Sequence, residues 1–350
     1  MKSRISLFLI VIVFLTLAGC LLGQTAPAAS TPASASSGNN SPASAGSKPQ
    51  SPSAPPATAA QPPAAPDNSG TDDAFKVKAI VNEVRVVFTV TDRHGRYIKD
   101  LKENDFRVMD DQRPAELHSF HSETDLPLQV GLLVDASNSV RDRFKFEQEA
   151  AIEFLNSMIR PGYDKAFVVG FDATPEVTQD FTDNTEHLSA GVRMLRAGGG
   201  TAMYDALYFA CRDKLMKQEQ TGPVRRAIIL LSDGDDNLSH VTREEAIDMA
   251  ARAEVIVYTI STNISGMKGK GDKTLERIAD ATGGRAFFPF QMREVSDSFL
   301  SIQEELRSQY AVAYKPANFM ADGRYRTIEI FAQDRNLKVR TRRGYYAPKP

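Results

Sequence analysis

Four short apolar runs constrain this chain more than any other feature: residues 128–134, 166–171, 227–231 and 255–260. Each is short for a helix, and each lacks the polar alternation of a strand with one wet face. Runs of this kind are strands of a parallel sheet covered on both sides. Helical spacing lies between and after them. In 147–159, Ala150, Ala151, Phe154, Leu155 and Met158 fall on one helix face. Thr242-Arg243-Glu244-Glu245 opens a helix with a capping-box pattern. The helix through Leu275 and Ala279 stops at Gly283-Gly284, and a last helix sets Val295, Phe299, Ile302 and Leu306 on one face. The alternation predicts an α/β fold: a doubly wound, mostly parallel, Rossmann-like sheet with helices on both faces.

The flanks read as β. Val77, Ile80, Val81, Val84, Val86, Phe88 and Val90 are strand-type residues, followed by the turn signal Asp92-Arg93-His94-Gly95. Short strands are expected at 106–109 and 117–120, and again at 310–314, 327–331 and 337–339. Residues 75–124 and 311–350 are therefore expected to pair as a small β-sandwich, with the α/β domain (125–310) inserted between them.

The first 74 residues differ from the rest. Lys2 and Arg4 precede an apolar run, residues 5–17, that is short for a membrane span, and small residues lead to Cys20. Leu17-Ala18-Gly19-Cys20 resembles a bacterial lipobox, which implies a signal peptide (1–20), cleavage before Cys20 and lipidation of that cysteine. Residues 21–74 are rich in Ala, Pro, Ser, Gln, Thr and Gly and poor in large apolar side chains. Such a segment cannot bury enough surface to offset its ordering entropy. It reads as a disordered tether reaching ~40 Å as a coil and ~150 Å as polyproline II. The expected location is the cell envelope, as an exported lipoprotein on the periplasmic face or the outer surface. The chain has two cysteines, so lipidation of Cys20 leaves Cys211 alone; its apolar surroundings read as a buried structural thiol. A net charge of −2 lacks the basic excess of a general nucleic-acid binder.

Three segments carry the chemistry. Asp135-Ala136-Ser137-Asn138-Ser139 follows the first buried strand, Gly198-Gly199-Gly200-Thr201 precedes a helix, and Ser232-Asp233-Gly234 follows the third buried strand. Open α/β sheets bind ligands outside the carboxyl ends of their strands. The hydroxyls of Ser137, Ser139 and Thr201, with the carboxylates of Asp135 and Asp233, suit a hard cation: Mg²⁺ first, with Mn²⁺ or Ca²⁺ as alternatives. A site with so few anionic donors stays electrophilic and accepts a carboxylate from outside.

Asp-x-Ser-x-Ser with a distal Gly-Gly-Thr and a Ser-Asp-Gly after a strand resembles the metal-ion-dependent adhesion site (MIDAS) of von Willebrand factor A domains. The resemblance implies a protein ligand whose Asp or Glu completes the metal shell. Asp100-Leu101, Asp105-Phe106 and the ending Arg343-Gly344-Tyr345-Tyr346-Ala347-Pro348 resemble a von Willebrand factor A-related family described from Acidobacteria. The chain is accordingly expected to be a binder and not an enzyme. An envelope scaffold whose metal serves only stability is the alternative. A metal-assisted hydrolase fits less well, because the three segments hold no histidine and the chain shows no Gly-x-Ser-x-Gly or His-Glu-x-x-His.

Four weaker features complete the reading. Asp235 and Asp236 read as a solvated loop, and Gly266-Met267-Lys268-Gly269-Lys270-Gly271 as a flexible basic loop without a P-loop ending. His118 and His121, three apart in a presumed strand, are expected on opposite faces. Arg340, Arg342 and Arg343 read as charges guarding an edge strand.

Overall fold

The computed structural model describes residues 83–122, 126–219, 222, 224–263, 265–316 and 320–348. The signal segment with Cys20, the tether, and strand residues Val77, Ile80 and Val81 lie outside the described residues.

The apolar runs form the strands expected of them. β1 (Val84–Thr91), β2 (Phe106–Asp110) and β3 (Arg113–Ser122) come first. The α/β layer then runs β4 (Leu128–Asp135), α1 (Phe144–Met158), β5 (Lys165–Phe171), β6 (Pro175–Thr182), α2 (Thr185–Met194), α3 (Met203–Phe209) and β7 (Arg225–Ser232). It continues with α4 (Arg243–Arg252), β8 (Val255–Ser261), α5 (Lys270–Thr282), β9 (Ala286–Phe287) and α6 (Met292–Leu306). β10 (Gln309–Lys315), β11 (Tyr325–Ala332), β12 (Lys338–Thr341) and β13 (Gly344–Tyr346) close the described chain.

The α/β sheet has the order β6-β5-β4-β7-β8-β9. β4 is parallel to β5 and β7, β8 to β7 and β9, while β6 is an antiparallel edge. All eight residues of β4 are buried. Leu132 and Val134 pack beneath α1, α2 and α6; Leu133 faces the opposite core with α3, α4 and α5. This double burial is why β4 reads as an apolar run, broken by Gln129 and ended by Asp135. The capping box at Thr242 is present, its side chain accepting from Glu245 N. α5 ends on Gly283 in the left-handed region at φ 82°. β6 was not legible beforehand: its half-exposed Pro-Glu-Val-Thr-Gln-Asp-Phe-Thr lacks an apolar run.

The two flanks do pair, as one antiparallel sheet of order β12-β1-β10-β3-β2-β11-β13. β1 and β2 are three strand steps apart, about 14 Å on a flat sheet. The rings of Phe88 (β1) and Phe106 (β2) nevertheless meet at 5.0 Å between centroids. The sheet is therefore curled over its own apolar face, where Tyr310 stacks on Phe88 and Phe120. Curling lets one sheet enclose the core for which two facing sheets were expected.

β10 follows α6 almost directly, which ties the curled sheet to the α/β layer. Glu305, near the end of α6 and 0% exposed, is the knot. It accepts from Tyr97 Oη at 2.7 Å and Tyr258 Oη at 2.8 Å, and it pairs with Arg340 of β12. Arg342 donates to the Arg85 carbonyl and reaches Glu254 at 3.2 Å. Arg340 and Arg342 are thus interface residues, while β12 does lie at the sheet edge as expected.

Candidate metal centre

β4 and β7 lie side by side, with Val134 opposite Leu231, so their carboxyl ends deliver Asp135 and Ser232 to one place. Asp135 is fully buried. Its Oδ1 accepts from Ser137 N at 2.9 Å and its Oδ2 from Ser232 Oγ at 2.6 Å. Ser232 Oγ in turn accepts from Gly234 N at 3.0 Å. One hydroxyl therefore links the first and third site segments. A 3-10 turn at Asn138–Val140 brings the chain back, leaving Ser137 Oγ and Ser139 Oγ 2.9 Å apart.

The Gly-rich loop is stitched to the same place. Gly198 N donates to the Ala136 carbonyl at 2.6 Å, and Asn138 Nδ2 to the Gly199 carbonyl at 3.1 Å. Gly199 has φ 78°, which strains any side chain, and a Cβ there would also crowd the Asp172 carboxylate at 2.9 Å. Thr201 is buried; its amide donates to Asn237 Oδ1 at 3.0 Å, and its carbonyl accepts from Asn237 N and Leu238 N, each at 3.0 Å. None of these bonds uses its hydroxyl. Asp233 is half-buried and its Oδ1 accepts from Asp235 N at 3.1 Å. The second and third segments, although Thr201 and Asp233 stand 66 and 98 residues after Asp135, are thus each bonded to the first.

The electrostatics are those of crowded acids. Burial pushes the Asp135 carboxyl up to about 6; hydrogen bonds from Ser232 and Ser137 oppose the shift and the Asp233 charge adds to it. Burial likewise pushes Glu147 of α1 up to about 7, against the Arg143 guanidinium and with the Asp135 and Asp233 charges. Glu147 Oε2 is a buried oxygen with no hydrogen-bond partner. The Asp135 and Asp233 carboxylates beside the Ser137 and Ser139 hydroxyls fit a divalent ion. Among the described residues no cluster of three or more His, Cys, Asp or Glu is placed to hold a metal. Neutral hydroxyls must therefore contribute, which suits a hard cation. Asp135, Ser137, Ser139, Thr201 and Asp233 are the residues that would hold it.

Other expectations resolve differently. Asp236 is no solvated residue: it accepts from Tyr204 N at 3.1 Å and from Ser239 Oγ at 2.6 Å, clamping the start of α3. The 266–271 loop is pinned, with Asn263 Nδ2 on the Met267 carbonyl and Asp272 Oδ2 accepting from Gly269 N at 2.7 Å. Lys268 sits 3.9 Å from the Phe288 ring centroid and pairs with Glu276. The register slip on β3 beside Ala313 and Tyr314 upsets strict alternation, and His118 and His121 are both exposed. The Cys211 expectation holds: it is buried and burial pushes its thiol up, so it is an inert structural thiol. Sequence reasoning placed Ser232 in the third segment without its bond to Asp135, and it missed Glu147 as a buried carboxylate. For Glu147 there was a signal: a charged residue on the stripe occupied by Ala150, Ala151 and Phe154.

Residues 130–235 match the profile of the von Willebrand factor type A domain. The chain is 32% identical over 166 residues to calcium-activated chloride channel regulator 1 of Bos taurus, covering 45% of this chain and 17% of that one. It is 25% identical over 202 residues to a UPF0353 protein of Mycolicibacterium vanbaalenii, covering 51% and 60%. It thus spans less than two thirds of either curated relative. Proximal thread matrix protein 1 of the mussel byssus, solved with zinc in its MIDAS motif, aligns with a TM-score of 0.46 at 17% identity, over 57% of this chain and 50% of that one.

Proposed function

Because the chain carries a von Willebrand factor type A domain, we propose that it captures a protein partner through a divalent cation held by Asp135, Ser137, Ser139, Thr201 and Asp233. Domains of this fold serve metal-site protein interaction or adhesion in general. One observation carries the reading: hydroxyls 2.9 Å apart converge beside a buried carboxylate, at the carboxyl ends of the central strands. Mg²⁺ is the first candidate, with Mn²⁺ or Ca²⁺ as alternatives.

The cation, when bound, supplies an electrophilic centre for an Asp or Glu of the partner. The chain's own residues prepare the place. Ser232 and the Ser137 amide fix both oxygens of Asp135, so the carboxylate cannot rotate away. The left-handed Gly199 and Gly234 let the loops approach closely; a Cβ on Gly234 would stand 2.3 Å from the Gly271 carbonyl oxygen. We read the chain as a binder and not an enzyme, since the three site segments contain neither histidine nor cysteine. The N-terminal signal, Cys20 and the 21–74 tether support export, lipid anchoring at the envelope and capture at a distance from the membrane.

Calorimetric titration of the chain with Mg²⁺ and Mn²⁺, beside Asp135→Ala and Thr201→Ala, tests this. One site in the parent and none in the folded variants is the expected result. A parent that binds no divalent cation overturns it. Ser137→Ala separates capture from stability: unchanged partner binding with a lowered melting temperature would favour an envelope scaffold.

A further inference from the structure

The curled sheet and the α/β layer do not close on each other everywhere. Between the outward face of β1 and the amino ends of β7 and β8 they leave a cavity of about 310 Å³. That is near the lower limit of small-molecule sites, about 300–1,000 Å³. Alternation along β1 creates one wall. Val84, Val86 and Phe88 belong to the curled core, so Glu83, Arg85 and Val87 turn to the cavity. The opposite wall holds Arg225 and Arg226, which begin β7, and Val255 and Ile256, which begin β8. The cavity therefore lies at the other end of β7 from Ser232 and the candidate metal centre.

Arginines line this cavity, and they differ in role. Arg225 and Arg226 serve the fold: Arg225 donates to the Leu126 carbonyl at 2.9 Å and to the Leu306 carbonyl, and Arg226 to the Ala253 carbonyl at 2.8 Å. Arg85 and Arg342 do not finish their bonding that way. Arg342 is fixed from behind, its backbone packed so tightly on the end of α5 that a Cβ on Gly283 would stand 2.4 Å from Arg342 N. Its side chain is 11% exposed, donates to the Arg85 carbonyl at 2.8 Å and reaches Glu254 at 3.2 Å, yet its Nε is buried with no partner. The Arg85 guanidinium makes no hydrogen bond or ion pair among the described residues. Glu254 is a weak counterion: its side chain is 59% exposed, and its backbone stands at φ 54°, a conformation that favours glycine. A guanidinium presents five donors in a planar fork that fits a carboxylate, and it stays charged at any working pH. Val87, Val255 and Ile256 add apolar surface to the same cavity. We propose that the cavity is a binding site for a small organic anion, its carboxylate taken between Arg85 and Arg342 and its apolar body laid against Val87, Val255 and Ile256. The site is separate from the cation-dependent capture above and does not depend on it.

Calorimetry and ligand-observed NMR on the full chain, with hexanoate, 1-hexanol and inorganic phosphate as probes, test it. Hexanoate should fill one site, alike with and without Mg²⁺. Hexanol lacks the charge and phosphate lacks the apolar body, so each should bind about tenfold or more weakly. Arg85→Gln, which removes a side chain that bonds to no other part of the described fold, should weaken hexanoate about tenfold or more at an unchanged melting temperature. Arg342→Gln should weaken it as much, with some loss of stability. Glu254→Gly, which releases Arg342 and suits φ 54°, should tighten it. A parent that binds no hexanoate, or an Arg85→Gln chain that binds it as tightly as the parent, overturns the inference. Hexanol binding equal to that of hexanoate would make the cavity merely apolar, and equal phosphate binding would make it a plain anion patch; either result refutes the organic-anion assignment. The cation titration decides the metal reading separately, so failure of one leaves the other standing.

Discussion

Arg340→Leu should unfold the curled sheet and the α/β layer together at a lower temperature. Glu305 of α6 is wholly buried, and its carboxylate is held by Tyr97 from the curled-sheet side, Tyr258 of β8 and Arg340 of β12. Removing Arg340 leaves that carboxylate buried with two phenols and no cation. Breaking a buried pair costs about 3–5 kcal/mol. The Arg340 side chain is 32% exposed, so water offsets part of the loss and the low end, about 3 kcal/mol, applies. For a folded unit of this size each kcal/mol lowers the melting temperature by about 2–3 °C, so the expected drop is ~6–9 °C. Adding Glu305→Gln, which keeps an acceptor for the tyrosines but removes the charge, should recover more than half of it. Urea and thermal denaturation followed by circular dichroism should show one transition throughout. A loss under about 1 kcal/mol, or a curled sheet that melts while the α/β transition stays in place, would refute the reasoning.

Stability in cation-free buffer should fall as pH rises from about 5 to about 8. Glu147, pushed up to about 7 in the fold, is protonated there but ionises lower when unfolded, so its stabilisation is present below the unfolded value and lost as pH climbs through 7. Glu147→Gln should flatten that slope, read from melting temperatures at half-unit pH steps, and an unchanged slope would sink the assignment. Gly131→Ala should cost about 1–3 kcal/mol, since its Cβ would meet Phe167 Cζ at 2.5 Å and Ile228 Cγ1 at 3.2 Å in a packed core. Urea midpoints measure it, and Phe167→Leu in the same chain should relieve part of the loss.

The candidate site was largely legible because its residues sit in three short, chemically distinctive loops. Asp135, Ser137 and Ser139 need no tertiary information to be recognised as one turn, and Gly198-Gly199-Gly200 advertises close backbone approach. The structure adds how those loops are bonded together. Ser232 looks like an ordinary strand end until β7 is placed beside β4 and its hydroxyl meets Asp135 Oδ2. Asp236 reads as solvated until α3 is brought to it, where it accepts from Tyr204 N.

What the sequence determined by itself is whatever depends on near neighbours in the chain. Apolar runs name the buried strands, Thr242 and Gly283 name helix ends, and the Asp-x-Ser-x-Ser turn names the candidate cation donors. Tertiary structure alone decided the strand order, the curling of both flanks into one sheet, the half-exposed edge strand β6, and the enclosure of Glu147 and Glu305. Periodicity reports which face of an element is apolar, but not which distant element covers it. An acid's burial and a strand's partner both arise from contacts between residues tens to hundreds of positions apart, and only packing creates those contacts.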